Sequence, residues 1–326
     1  YNFYGKKLKF PEDFEFDEPT NVNLSSNSVD TVAVRKSNLE FDFFRDVYLR
    51  DVSLSKLDTI KNNPVYQSLD RGKKGLENEK QCFCYSACYA GMHYYKLQNS
   101  FEFAENNSSC FDNLKNLEIF DWGCGQGYGS SILLEFLETN LKFSGNILFF
   151  LTDISKFALN RGYNKNIKPS LAKNNINNSS NKIAFKKIAK SINDLDISDI
   201  SGRRRDDFLD SNAIIDQKFI HIFSNILDVS VVNETKIAKL LFNLLENESY
   251  KGEHYFFCMS PVYGSAKSKI LKFVNQFKNR FNNRFSKIRE TSEPITNIEY
   301  YDFLPQKKYK QNMSCTRYEI QFSIVN

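Results

Sequence analysis

Residues 116–141 read "NLEIFDWGCGQGYGSSILLEFLETNL". A short apolar run ends in Asp121, glycine follows at positions 123, 125, 127 and 129, and apolar residues then recur every three or four positions. A strand, a tight turn and a helix are the only elements that fit this order, and they bring the turn to the helix N-terminus. Glycine there permits positive φ and lets a ligand lie against bare backbone, beside N–H groups that the helix leaves unpaired. A nucleotide-type ligand suits such a cradle. Dinucleotide-binding turns use G-x-G-x-x-G, and here both registers, "GCGQGY" and "GQGYGS", lack the third glycine, which disfavours hydride-transfer chemistry.

The rest of the chain continues the alternation. "NILFFLTD" and "SKFALNRGYN" form the second strand and helix, and "KIAFKKIA" the third strand. "KFIHIFSN" precedes the helix "ETKIAKLLFNLLEN", and "HYFFCMS" precedes a long helix expected over 265–288. "NIEYYDFL" and "TRYEIQFSIV" are expected to pair as a terminal antiparallel hairpin. Alternating units of this kind build a parallel sheet. "KPSLAKNNINNSSNK" is polar and Asn-rich and reads as a loop. Upstream, residues 1–30 read as an extended polar arm. Phe41, Phe44, Val47, Tyr48 and, further on, Tyr85, Cys88, Tyr89, Met92 and Tyr95 recur at helical spacing. "AENNSSCFDN" at 104–113 reads as a polar hinge, which divides the chain into an arm and helical cap, 1–110, and a sheet domain, 111–326.

The stretch "FDWGCGQGYG" resembles motif I of the class I S-adenosylmethionine-dependent methyltransferases, and "LTDISKFALNRG" resembles that family's second-strand end. "KSINDLD" resembles its loop after the third strand, with Ser191 standing where the family usually has Asp. The resemblance covers about residues 115–326. It implies a three-layer Rossmann-like α/β fold, a mostly parallel seven-stranded sheet with an antiparallel C-terminal hairpin, beside the mainly helical N-terminal cap. It also implies S-adenosylmethionine as cofactor, bound by Asp121, Gly123, Cys124, Gly125, Gly127, Asp153, Ile154, Ser191, Ile192, Ser224 and Asn225. Asp153 is the candidate for gripping the two ribose hydroxyls, since a carboxylate accepts both bonds at once.

An acceptor site belongs beyond the ends of the fourth and fifth strands. "FSNILD" and "MSPVYG" leave those strands and nominate Asn225, Asp228 and Tyr263 as catalytic candidates, with Asn225 and Asp228 alternatively capping the next helix. DNA amino-methyltransferases carry (D/N/S)-P-P-(Y/F). "SPVY" at 260–263 and "NPVY" at 63–66 are near misses, and both lack the second proline. In the expected helix 265–288, Ile270, Val274, Phe277, Phe281 and Ile288 share one face, leaving Lys269, Lys272, Lys278, Arg280 and Arg284 outward. With "GRRRDD" and "QKKYK", the basic residues of 265–289 admit nucleic acid as an acceptor; a solvated face of a sheet-covering helix is the simpler reading. Cys82, Cys84, Cys88 and His93 match no common zinc spacing and read as core packing, so no metal is expected. His93 alternatively faces the cofactor, and His221 reads as a core histidine.

A 326-residue chain with 41% hydrophobic residues can bury a full core, and seven cysteines are too few for a disulfide framework. A net charge of +5 is below that of most dedicated nucleic-acid binders. No apolar run is long enough to span a bilayer, so no membrane partner is expected and the chain reads as cytoplasmic. The sequence thus supports a methyltransferase acting on an acceptor left open among nucleic acid, protein and small molecule. The alternative is a catalytically inactive fold of the same type, kept as a cofactor-binding or regulatory module.

Overall fold

In the computed structural model, which describes residues 2–3, 6–7, 41–55, 63–72, 74–173, 183–201, 217–262, 265–298 and 313–326, the glycine-rich turn leaves the middle of a sheet. That sheet is built from β1 (Asn116–Trp122), β2 (Asn146–Asp153), β3 (Ile183–Ala189), β4 (Gln217–Ser224), β5 (Glu253–Pro261), β6 (Phe285–Thr291), β7 (Pro294–Ile298) and β8 (Met313–Val325). The order is β3-β2-β1-β4-β5-β8-β6, with β7 also paired to β8. β1 to β5 run parallel, and β8 lies antiparallel between β5 and β6. This is a Rossmann-like three-layer α/β fold with an antiparallel C-terminal end, as the motifs imply. Chain order reverses on either side of β1, which opens a crevice at the C-terminal ends of β1, β2 and β4.

Every residue of β1 is buried, as befits a central parallel strand covered on both faces. Leu117 and Ile119 face one layer with Ile147, Phe149, Ile220, Ile222, Tyr255 and Phe257. Phe120 and Trp122 face the other with Phe150, Phe219, Phe223 and Phe256. On that second face Phe150, Phe120, His221, Phe256 and Phe322 stack across five strands, with centroids 4.3 to 4.7 Å apart and planes within 11°. Cross-strand register puts like rings side by side, which stabilises the sheet beyond simple burial. His221 belongs to this ladder. It accepts from Trp122 Nε1 at 3.3 Å and lies 3.0 Å from His254 Nδ1, so it is a satisfied core histidine.

Before the sheet come α1 (Arg50–Ser55), entered through a π-helical turn (Phe44–Leu49), then α2 (Pro64–Ser68), α3 (Glu79–Tyr85) and α4 (Gly91–Asn107). α5 (Tyr128–Thr139), α6 (Lys156–Gly162), α7 (Lys168–Lys173), α8 (Ile197–Ile200), α9 (Glu234–Leu245) and α10 (Ala266–Arg280) complete the layers. α4 packs on α5, and its Leu97, Phe101 and Ala104 share one core with Ile132, Phe136 and Phe257. α9 and α10 cover the opposite face.

Several sequence expectations are corrected. The stretch read as a polar hinge is helical through Asn107, and Cys110 and Phe111 are buried. Part of the Asn-rich loop, Lys168–Lys173, continues the preceding helix, while residues 174–182 lie outside the described ones. The long helix stops at Arg280, and Phe285–Thr291 is β6, so Ile288 sits on a strand. Phe281 and Ile288 continue the spacing of Ile270, Val274 and Phe277 past the helix end, which hides the break in the sequence. Of "NIEYYDFL" only residues 297–298 are described. In the first arm Asn2–Phe3 and Lys6–Lys7 pair antiparallel. "GRRRDD", "QKKYK" and Tyr263 lie outside the described residues.

Candidate active site

The crevice at the switch point is lined by Asp121, Gly123, Cys124 and Gly125 from β1 and its turn, and by Asp153 and Ile154 from the end of β2. Ser191 and Ile192 follow β3, and Ser224 and Asn225 end β4. Ten of the sequence-nominated residues therefore meet in one cleft of about 1030 Å³, counting the solvent at its mouth. Gly127 and Asp228 are not among its lining residues. Asp228 instead accepts a bond from Ser260 Oγ at 2.9 Å.

Gly125 explains the turn. Its φ is +52°, and a Cβ placed there would meet nothing within 4 Å, so the missing side chain leaves room on the cleft side. Its N–H donates to Asp153 Oδ2 at 2.8 Å, and Cys124 N–H donates to the Thr152 carbonyl at 2.8 Å, which ties the turn to β2. Gly129 answers a different demand: a Cβ would come within 2.9 Å of the Asp121 carboxylate. That carboxylate accepts from Ser130 N and Ser130 Oγ at 2.9 and 2.8 Å, anchoring the first turn of α5 to the end of β1. Gly127, which precedes α5, offers no side-chain cap, and Tyr128 and Gly129 of the first turn line the cleft.

Burial pushes the Asp121 carboxyl up to about 6, against the lowering effect of the Ser130 bonds. Burial also raises Asp153, opposed by the Ser155 and Gly125 N–H groups. Asp153 Oδ1 takes Ser155 N at 2.7 Å, and Ser155 caps α6. Ile154 beside it is 64% exposed and Val231 across the cleft 72%, two large apolar side chains left open at a concave site. Asn193 bridges the two sides, donating to the Val231 carbonyl at 2.7 Å and accepting from Asn233 N at 2.8 Å.

The cap contributes polar groups to the cleft, among them His93, which the sequence leaves between core packing and the cofactor. His93, on α4, lies with Nδ1 3.3 Å from Ser224 Oγ and Nε2 3.3 Å from Asn225 Nδ2 and 3.2 Å from Tyr85 OH. Lys96, one turn on and 4% exposed, donates to Asn225 Oδ1 at 2.7 Å. Asn225 holds φ at +59°, a left-handed conformation that Asn tolerates better than most residues. Of these, sequence reasoning nominated Ser224 and Asn225 and weighed His93; Lys96 and Tyr85 were not assigned to the site. The reason lies in the turn between α3 and α4. Residues 86–90 form a π-helical turn, which shifts the helical phase by part of a turn. The expected stripe of Tyr85, Cys88, Tyr89, Met92 and Tyr95 is only half-buried, while Ser86, Ala87, Ala90, His93, Lys96 and Leu97 are buried.

A second buried network lies beneath the turn. Arg161, 6% exposed, donates to Asp51 Oδ1 at 2.9 Å, to Glu79 Oε2 at 3.0 Å and to Gln126 Oε1. Gln126 Nε2 in turn donates to Tyr128 OH at 2.8 Å and to the Cys82 carbonyl at 3.1 Å. Burial alone would raise Asp51, and Arg50 with Arg161 outweighs that and holds it low. Cys82 and Cys84 pack with Leu69, Leu76, Ala87 and Ala158, and among the described residues no three ligand-type side chains gather around one point. The basic face of α10 is largely engaged: Lys269 donates to the Val229 and Val232 carbonyls, Lys272 pairs with Glu234 and Arg280 with Glu246. No helix among the described residues is long and apolar enough to cross a membrane.

No family model matches the sequence, and neither does any curated protein. Among solved structures the chain is similar to a precorrin-6y C5,15-methyltransferase from Geobacter metallireducens, at 12% identity over 73% of this chain and 87% of that one, with a TM-score of 0.35. It is similar to a SAM-dependent methyltransferase from Leishmania major, at 9% identity over 93% and 100% of the two chains and a TM-score of 0.39. A third similarity is to a plantazolicin methyltransferase in complex with a monoazolic desmethyl analogue and SAH, at 10% identity over 87% and 98% and a TM-score of 0.41.

Proposed function

We propose that the chain is a class I methyltransferase that binds S-adenosylmethionine in the switch-point cleft and passes its methyl group to an acceptor at the ends of β4 and β5. One observation carries the reading: the glycine turn after β1 and the acidic end of β2 face each other in one cleft, joined by the Gly125 N–H to Asp153 bond. The empty space beside Gly125 fits a ligand laid against backbone, and Asp153 keeps lone pairs for ribose hydroxyls once its two N–H partners are counted. Ile154, Ile192 and Val231 would cover the faces of a planar base, with Ser191 at its edge. Asp121 fixes the start of α5 and, through it, the turn.

When bound, S-adenosylmethionine supplies an electrophilic methyl on a sulfonium. The chain's contribution is orientation and exclusion of water, since displacement at such a carbon depends chiefly on alignment. Asn225, held by Lys96 and by its own N–H to the Met259 carbonyl, stands where β4 delivers an acceptor. Nucleic acid stays among the acceptor classes through exposed Lys278, Arg284 being engaged by Asn326 Oδ1 and the Phe281 ring, and protein or small-molecule acceptors stand beside it. Incubation with S-adenosylmethionine carrying a tritiated methyl, and with RNA, DNA, protein and small-molecule pools, should label one pool. Cofactor binding without labelling of any pool would instead point to a regulatory module.

A further inference from the structure

We infer that His93 is the residue that takes the acceptor's proton, and that the acceptor is therefore a protic nucleophile, an N–H, O–H or S–H group. The inference rests on the cleft being a methyl-transfer site. It follows from which groups can donate. Lys96 Nζ is donor-only, so the Asn225 atom 2.7 Å from it is the amide oxygen, and the amide N–H group must then point at His93 Nε2. A nitrogen receiving an N–H carries no proton of its own. The imidazole proton consequently sits on Nδ1 and donates to Ser224 Oγ, and the unprotonated Nε2, which accepts the Asn225 N–H, belongs to a ring that lines the cleft. Tyr85 OH lies 3.2 Å and Asn225 Nδ2 3.3 Å from the same nitrogen, and an incoming X–H takes their place as the Tyr85 hydroxyl rotates away and the long Asn225 contact opens.

The step balances. The X–H proton moves to His93 Nε2, the pair left on X takes the methyl carbon, the C–S pair remains on sulfur, and the positive charge of the sulfonium ends as an imidazolium. A thioether, a tertiary amine or a preformed anion would need no such group. The titratable side chains against His93 are Lys96 on its own helix, Tyr85 from α3 and Tyr128 at the start of α5, with neutral Ser224 and Asn225 from β4; Lys74, Asp121, Asp153 and Lys190 line the rest of the cleft. Burial and then Lys96 hold the imidazole well below its usual value, so Nε2 stays unprotonated at neutral pH and a proton gained in turnover is readily released.

The chain has three histidines, and the other two, His221 and His254, are fully buried in the sheet, so side-chain NMR of the 15N-histidine protein resolves the question with one His93→Gln control for assignment. With S-adenosylhomocysteine bound, and binding checked independently by calorimetry, His93 should show the neutral Nδ1–H form at neutral pH. Lys96→Met should move its titration midpoint upward. A protonated Nε2 in the complex would overturn the assignment while leaving the cofactor site standing. Absence of S-adenosylhomocysteine binding by the folded chain would remove the methyl-transfer reading and this inference with it. Should Lys96→Met fail to fold, the wild-type tautomer alone decides.

Discussion

At the scale of single residues, the cleft depends on one position without a side chain and one buried carboxylate. Gly125 holds φ at +52° beside open space, so Gly125→Val strains the turn and also fills the volume a ligand would use. Circular dichroism of the variant should remain native. Asp153→Ala should weaken cofactor binding by roughly 10 to 100 fold, since lost charge-assisted bonds are worth about 1.5 to 3 kcal/mol; a lowered Tm with wild-type affinity in the folded variant would make Asp153 a structural cap alone. Asp121 has a pH signature. Its carboxyl titrates near 6 in the folded chain against 3.8 ordinarily, so the native state binds its proton more tightly than the unfolded state does. Its stabilisation is full below about pH 4, is lost as pH rises through about 6, and amounts to on the order of 3 kcal/mol. Asp121→Asn keeps an acceptor for Ser130 N and has no charge to bury. It should raise Tm at neutral pH and flatten the stability profile between about pH 4 and 6. An unchanged profile in a thermal-melt series would show that Asp121 is not the titrating group.

Among the elements, α1, α3, α6 and the glycine turn are held together by the Asp51–Arg161 pair and its neighbours. Removing one partner leaves the other charge buried, so Asp51→Ala should cost about 3 to 5 kcal/mol in denaturant unfolding. A loss below about 1 kcal/mol, typical of exposed pairs, would mean that water reaches Arg161. This network was illegible in the sequence because its members lie far apart, at 51, 79, 126 and 161. The sheet was legible. Strands with continuous apolar runs, such as "LEIFDW" and "NILFFLTD", have no other stable use, and the glycine spacing marked the turn from local chemistry alone. What the sequence hid were phase changes: the π-helical turn at 86–90 that swings His93 and Lys96 inward, and the stop at Arg280, where Phe281 and Ile288 kept a helical rhythm into a strand. Nothing in the spacing around Lys96 marks it, so only its contact with Asn225 reveals it, whereas the sequence already leaves His93 open to the cofactor.

For the whole molecule, the helical cap and the sheet share one core: Phe43, Val47, Leu97 and Phe101 pack with Ile119, Phe136 and Phe257. The cap therefore does two jobs, covering a sheet face and delivering His93 to the ends of β1 and β4. Equilibrium unfolding should be a single transition by fluorescence and far-UV circular dichroism, and a chain begun at residue 108 should lose near-UV signal because that sheet face is bare. Separate transitions would divide cap from sheet into independent units. The central claim is that the glycine turn and Asp153 cradle a nucleoside-bearing methyl donor. Titration calorimetry of the full chain with S-adenosylhomocysteine, repeated with Gly125→Val, tests it most directly. Saturable one-site binding to the wild type, abolished in a folded Gly125→Val, is the expected result; no binding to the folded wild type, or equal affinity in both proteins, would contradict it.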